Sequence, residues 1–299
     1  MDMVKLSVII LSYNTKEITQ KSIAALVNRL PVGTDFLSEV IIVDNGSTDG
    51  SVTNIKAQIA KLKDKNMQFK LIENKSNLGY PRGNNQGLKI AKGEYILFLN
   101  SDVISEDVDF SQLISYLDKN SHIGVLTVKV LLRNGSIDPA SHRGFPTLWN
   151  SFCYFIKLEK LFSKIPILNT FFGGYHLLGR NLDDIHEIDS PTGAFYLVRK
   201  KILEKTQGFD EEYFMYGEDL DLSFRIKQLG FKVVYYPFYF VLHLKRFSGL
   251  EKKDSETKNK TKQHFYNAMK IFYKKHYQKN YPWLVNQSTY ICINILKLF

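Results

Sequence analysis

The run YILFLNSDV, residues 95–103, is apolar up to Leu99 and then delivers an amide, a hydroxyl and a carboxylate at Asn100, Ser101 and Asp102. Such a cluster at the end of a buried strand is either a divalent-cation site with one acid exchanged for an amide or only a polar strand end. The run alone leaves both open. Asp44 closes a second apolar run, EVIIVD, and is followed by NGSTDGS. Turn and capping chemistry accounts well for Asn45, Ser47 and Asp49 but less well for Asp44. A carboxylate there can accept hydrogen bonds from a ribose or a base N–H, so Asp44 is expected to contact a ligand. In YGEDLDL, Glu218, Asp219 and Asp221 cluster at a helix start. Acids in a first turn complement the helix dipole, yet adjacent carboxylates raise one another's pKa and can supply a general base. Spacing does not choose between these two. His243 follows the apolar run YFVL, and it counts as a ligand only if Asp102 holds a metal nearby.

Positioning these groups requires an alternation of strands and helices. LSVIILS, EVIIVDN, QFKLIEN and EYILFLN read as buried strands. Between the first two, Ile18, Ile23, Leu26 and Leu30 fall at approximate helical spacing, with Asn14 as the expected N-cap and Glu17 three residues on. A second helix is expected through about Lys63, and a third over NNQGLKIAKG, closed by Gly93. Near-continuous apolar strands alternating with helices predict a mostly parallel sheet covered on both faces. Ligands bind such sheets beyond the carboxyl ends of the strands. Tyr13 and Asn14, Asp44 and Asn45, and Asn100 with Asp102 all occupy such ends, and three of them together predict a lined crevice. From about Pro146 to Asp189 the pattern is less regular: LWNSFCYFIKLEKLF carries a helical apolar stripe, and TFFGGYHLLG reads as an aromatic loop. Then GAFYLVRKKIL predicts a strand running into a helix. A helix over Asp219–Leu229 with Gly230 at its C′ position follows, and FKVVYYP is a further strand.

With 299 residues and 44% hydrophobic side chains, the chain can bury a sizeable core. Cys153 and Cys292 lie far apart and lack metal-ligand spacing, so neither a disulfide framework nor a zinc site is expected, and a reducing compartment is. The apolar run Leu6–Leu11 ends too soon at Tyr13 and Asn14 for a signal peptide, and no stretch is apolar enough to span a membrane; a cytoplasmic protein is expected. Of the net charge of +10, residues 251–299 contribute +7, from ten lysines against three acids. This tail interleaves lysines with aromatics, which suits either an anionic membrane surface or a helix packed on the body. The rest of the chain shows no basic face for nucleic acid. GxGxxG after the first strand, a Walker loop, GxSxG and HExxH are all absent.

Taken in order, SVIILSYN, VIIVDNGSTDGS, NLGYPRGNNQGL, YILFLNSD, the long segment from SPTGAFYLV to FKVVYYP, and His243 resemble family 2 glycosyltransferases, in particular their bacterial rhamnosyltransferase-like branch. The resemblance covers about residues 4–248. It implies a GT-A fold, expected over 1–250 ahead of the basic aromatic tail read as helical over 251–299, with a nucleotide-sugar donor, Mg²⁺ or Mn²⁺, and inversion at the anomeric carbon. By the same resemblance Tyr13, Asn14 and Asp44 would hold the nucleoside, and Gly79, Arg82 and Asn84 would line the donor pocket. Asp102 matches the last acid of the family's DxD element, and Asn100 stands at its first, as is common in this branch. Asp219 matches the catalytic base, supported by Glu218 and Asp221. His243 matches a histidine that reaches metal or diphosphate, although LKRFSGL after it is looser than the family's segment. The Thr192-Gly193-Ala194 turn would face the acceptor. The expected activity is transfer of rhamnose from dTDP-rhamnose to a glycan or polyprenyl-linked acceptor, with the tail touching the inner face of an anionic membrane. The alternatives are a UDP-hexose or UDP-galactofuranose donor, or a non-catalytic glycan- or nucleotide-binding relative. With one committed carboxylate, cation affinity should be weak alone and rise with nucleoside diphosphate.

Overall fold

In the strand Val4–Ser12 (β1), Val8 and Ile10 point into one core while Ile9 points into the other, following the two-residue period of a strand. Both faces of the sheet must therefore be covered by helices, and they are. The computed structural model describes residues 4–31, 36–62, 67–245 and 255–298. The strands Leu37–Asp44 (β2), Gln68–Glu73 (β3) and Tyr95–Asn100 (β4) join β1 in parallel, in the spatial order β3-β2-β1-β4. The sheet continues through Phe195–Arg199 (β8), Ile123–Leu132 (β6), Lys232–His243 (β9) and Val103–Asp107 (β5). His186–Ile188 (β7) pairs with β9 off this path. β8 is antiparallel to both neighbours, β6 and β9 are parallel, and β5 is antiparallel to β9.

One core layer takes Ile23 and Leu26 from helix Lys16–Val27 (α1), Ile55 from Ser51–Leu62 (α2), and Phe110, Leu113 and Leu117 from Phe110–Lys119 (α4). The other takes Ile202 and Leu203 from Lys200–Thr206 (α8), and Leu222 and Ile226 from Glu218–Gln228 (α9). Tyr80–Ile90 (α3) packs there too, through Tyr80 and Leu88.

Register is what assembles the crevice. Ser12 pairs with Asp44, and Leu11 with Asn100, so β1, β2 and β4 end level with one another. Leu99 pairs with Phe195, which brings the 192–194 turn beside the end of β4. Val103 pairs with His243, and Leu244 N–H donates to the Asp102 carbonyl (2.9 Å).

Several expected boundaries move. Asn14 does not cap α1. Its backbone is left-handed (φ 51°), and the α1 start is instead served from the neighbouring loop, where Lys16 N–H donates to Asp49 Oδ2 (3.0 Å). The other Asp49 oxygen accepts from Ser51 N–H (3.0 Å), so one carboxylate fixes two helix starts. α3 begins at Tyr80, with Pro81 in its first turn, and stops at Ile90; Gly93 lies beyond it, in the loop leading to β4. The stripe after Pro146 is two helices, Leu148–Phe155 (α5) and Leu158–Phe162 (α6), broken at the left-handed Lys157. Thr170, Phe171 and Phe172 end a third, Pro166–Phe172 (α7), rather than opening a loop. Gly230, at φ 85°, follows α9 as expected.

The tail forms Ser255–His276 (α10) and Trp283–Leu296 (α11). α10 lays aromatic side chains on the body: Phe272 meets Phe224 and Phe145, and His264 stacks on Phe214. The boundary expected at 250/251 lies outside the described residues. Among those residues, no helix is long and apolar enough to cross a membrane.

Candidate active site

At the first corner, the loops after β1 and β2 tie to each other. Ser47 N–H donates to Asp44 Oδ1 (2.8 Å), Asn14 N–H to Ser47 Oγ (2.9 Å), and Thr48 N–H to Asn14 Oδ1 (2.8 Å). Asp44 is buried and its Oδ2 has no partner. Tyr13 follows Ser12, the β1 residue paired with Asp44, and is 42% exposed. At the second corner, Gly79 (φ 87°) passes so near the 209–217 loop that a Cβ would lie 2.6 Å from the Phe214 carbonyl, so this position requires glycine. Tyr80 N–H donates to that same carbonyl (2.8 Å). Asn84 donates to the Tyr80 carbonyl (3.0 Å) and keeps a buried Oδ1 unpartnered. Arg82 is more open, 3.7 Å from Glu211 in a loose ion pair.

Between β4 and β5, Asp102 faces His243. Nε2 lies 3.3 Å from Asp102 Oδ1 without hydrogen-bond alignment, while Nδ1 meets Asp138 Oδ2 at 2.9 Å. Lys245 donates to the other Asp138 oxygen (2.7 Å). Burial alone would lower the His243 pKa, but the Asp102 and Asp138 carboxylates outweigh it and raise it to about 9. Burial pushes the Asp138 carboxyl the other way, yet His243 and Lys245 hold it well below the usual carboxylate range. Asp102 Oδ2, His243 Nε2 and Asn100 Oδ1 are all buried without partners. A carboxylate oxygen and an imidazole nitrogen fixed from behind by a second carboxylate are a fitting donor pair for a divalent cation that displaces the imidazole proton and takes its remaining ligands from a diphosphate. Among the described residues no cluster of three or more His, Cys, Asp or Glu forms a complete protein cage.

The third wall is the start of α9. Asp219 Oδ2 accepts from Arg143 Nη2 (2.7 Å) and Gly193 N–H (3.1 Å), and Oδ1 accepts from Leu220 N–H (2.8 Å). Arg143 is buried and also donates to the Pro191 carbonyl (2.8 Å). Glu218 is buried with Oε2 unpartnered, and burial, then the neighbouring Asp219, push its pKa up to about 8. Asp221 turns elsewhere: its oxygens meet Arg225 (2.7 Å) and His276 Nε2 of α10 (2.8 Å), so it ties α9 to the tail and does not join Asp219. The 192–194 turn is buried. It gives Gly193 N–H to Asp219, the Gly193 carbonyl to Tyr80 Oη (2.9 Å) and the Ala194 carbonyl to Asn100 N–H (3.2 Å). Tyr80 registers the convergence of the walls, since burial and then the charges of Glu218, Asp219 and Asp102 raise its pKa well above normal.

Twelve buried side-chain polar atoms among the described residues lack a hydrogen-bond partner. Six of them belong to residues singled out from the sequence: Asp44, Asn84, Asn100, Asp102, Glu218 and His243. Buried polar groups are ordinarily paired, so this concentration marks a place where a polar ligand completes the structure. A cleft of about 770 Å³ between α1 and β5 lies elsewhere and is lined by none of these residues. Arg143 and Asp138 were not legible. Each sits in a loop without periodicity, Asp138 looks like an ordinary Asp-Pro turn, and their partners are 76 and 105 residues away.

The sequence model of Glycosyl transferase family 2 matches residues 7–178. The chain is 31% identical over 155 residues to rhamnosyltransferase WbbL of Escherichia coli, a match covering 51% of this chain and 53% of that one. It is 27% identical over 234 residues to N-acetylglucosaminyl-diphospho-decaprenol L-rhamnosyltransferase of Mycobacterium tuberculosis, covering 73% and 70%. The chain spans only about a third to a half of the length of the first curated relatives it matches. Among solved structures, Staphylococcus aureus TarS 1–349 aligns with a TM-score of 0.54 at 20% identity, over 91% of this chain and 73% of that one. Mannosyltransferase PcManGT from Pyrobaculum calidifontis, in complex with GDP-Man and Mn²⁺, aligns with a TM-score of 0.57 at 15% identity, over 91% and 64%. The fold is GT-A, and the chain belongs to glycosyl transferase family 2.

Proposed function

We propose that the chain is an inverting glycosyltransferase that moves a sugar, rhamnose from dTDP-rhamnose in the first instance, onto a glycan or polyprenyl-linked acceptor in surface polysaccharide synthesis. The observation that carries this is the set of six unpartnered buried polar atoms at the crevice. A non-catalytic relative would have little reason to retain them together with Asp219. The names of two relatives, from Escherichia coli and Mycobacterium tuberculosis, support the rhamnose donor, and the second supports a polyprenyl diphosphate acceptor.

Asp44, Asn14 and Tyr13 hold the nucleoside, with Gly79, Arg82 and Asn84 lining the donor pocket. Asp102 and His243 hold Mg²⁺ or Mn²⁺ with Asn100 as a neutral neighbour, and Mn²⁺ in PcManGT supports this choice. Such a cation supplies charge neutralisation for the departing diphosphate. Asp219 takes the proton from an acceptor hydroxyl as that oxygen attacks the anomeric carbon; the bond from that carbon to the diphosphate breaks, and nucleoside diphosphate leaves from the opposite face. Thr192, Gly193 and Ala194 fix this wall on the acceptor side.

A second assignment of the base has one observation in its favour. Glu218 has a free buried oxygen and a pKa pushed up to about 8, whereas Asp219 is paired with Arg143. Asp219→Ala is expected to lower kcat about 10²–10⁴-fold with donor binding nearly intact. Equal activity in that variant together with collapse in Glu218→Gln moves the base to Glu218. A thermal-shift screen of dTDP- and UDP-sugars with and without Mn²⁺ tests the donor. Stabilisation by dTDP-rhamnose supports rhamnose, stabilisation by UDP-sugars alone redirects the donor, and binding without turnover by any of them supports a binding protein.

A further inference from the structure

Helices α5 to α7 leave a run of large apolar side chains in solvent, among them Trp149, Phe152, Ile156, Leu161, Ile167 and Phe171, with Leu161 69% and Ile167 83% exposed. Surfaces of this kind on a folded body mark interaction sites. This one is built. Trp149 Nε1–H donates to the Phe171 carbonyl (3.1 Å), Trp149 packs on Phe171 and Phe172, and Phe162 stacks on Phe172. Its charge is one-sided. From Leu148 to Phe172 the exposed charged residues are Lys157, Lys160 and Lys164, while the one acid, Glu159, is buried against His176 (2.8 Å). By contrast α11 also exposes Trp283 and Leu284, but residues 283–296 carry no charge at all.

We propose that α5–α7 is a docking surface for an anionic lipid bilayer, with the apolar side chains entering the headgroup boundary and the three lysines meeting lipid phosphates. Apolar burial combined with lysines at the rim is how interfacial helices bind such surfaces. The patch begins five residues after Arg143, which grips Asp219, and Gly144 N–H is tied to the Tyr175 carbonyl (2.8 Å). Docking there brings the α9 wall of the crevice to headgroup depth, where a diphosphate-linked acceptor would reside; this consequence, unlike the docking, rests on the transfer proposed above.

The test is flotation of the full chain with phosphatidylcholine vesicles with and without phosphatidylglycerol. Wild type is expected to float only with the anionic vesicles. Ile167→Ser with Phe171→Ser should lower apparent vesicle affinity about tenfold or more, and Lys157→Glu with Lys160→Glu and Lys164→Glu by about two orders of magnitude. Trp283→Ser with Leu284→Ser should change nothing. An unchanged Tm and an unchanged nucleotide-sugar thermal response in each variant separate lost docking from lost folding, and a chain that docks but transfers nothing breaks only the functional proposal. The docking surface is refuted by wild type that stays at the bottom of the gradient, by loss confined to the α11 variant, or by light scattering showing a dimer that Ile167→Ser with Phe171→Ser dissociates.

Discussion

At the ends of β2 and β4 the buried carboxylates of Asp44 and Asp102 each keep one oxygen without a partner, whereas at the start of α9 both oxygens of Asp219 are satisfied by Arg143, Gly193 and Leu220. An unpartnered buried polar atom costs about 1–3 kcal/mol. The strand ends therefore hold a standing deficit that a ligand can remove, while Asp219 at the helix start is already satisfied and the deficit there falls on Glu218 Oε2. The first region is organised for binding. The second is organised to keep an acid in place within a buried setting, with Glu218 beside it bearing the strain of like charge.

This contrast can be broken most directly at Arg143. Arg143→Met leaves Asp219 buried without its cation and should destabilise the protein by about 3–5 kcal/mol in urea unfolding. Asp102→Asn leaves His243 held by Asp138 and should cost clearly less than Arg143→Met without ligand, and equal losses in the two variants would erase the distinction. Next in size is Asp138→Asn. By releasing the His243 ring it should weaken Mn²⁺ binding in the presence of nucleoside diphosphate about 10–100-fold, read by calorimetry. Titration sharpens the α9 side. Folded Glu218 holds its proton up to about pH 8, whereas the unfolded chain releases it near 4.5, so the folded state binds the extra proton in between. Its contribution to stability is thus present below that window and is lost as pH rises through it. Thermal unfolding from pH 5 to 8.5 should show a shallower decline in Glu218→Gln than in wild type. The smallest effect is expected at Asp49, whose replacement by Ala removes contacts at two helix starts and should cost about 1 kcal/mol.

The sheet was legible because strands buried on both faces must be apolar almost without interruption, and SVII, VIIV and YILFL allow little else. The same regularity made the strand ends conspicuous, which is why Asp44, Asn100 and Asp102 could be chosen. Asn14 misled for a physical reason. Asparagine tolerates the left-handed region, so it serves a turn and a neighbouring loop as readily as a helix N-cap. Arg143 and Asp138 stayed hidden because what defines them is a partner brought near by the sheet, and no local pattern encodes that. Asp221 is expected, from the heptapeptide YGEDLDL, to support Asp219. Two residues of helix rotation separate them, enough to send one to the crevice and the other to α10.

That last contact bears on how the C-terminal region can be studied at all. His276 and Arg225 share the buried Asp221 carboxylate, and His276 and Phe272 cover Phe224 on the same helix. Removing α10 would strip one of two partners from an acid in the first turn of α9, two positions from Asp219, and open an aromatic seam to water. A shortened protein that has lost transfer would then be reporting an unsettled α9. Point substitutions on the outer faces of α10 and α11 are the informative way to ask what the tail does.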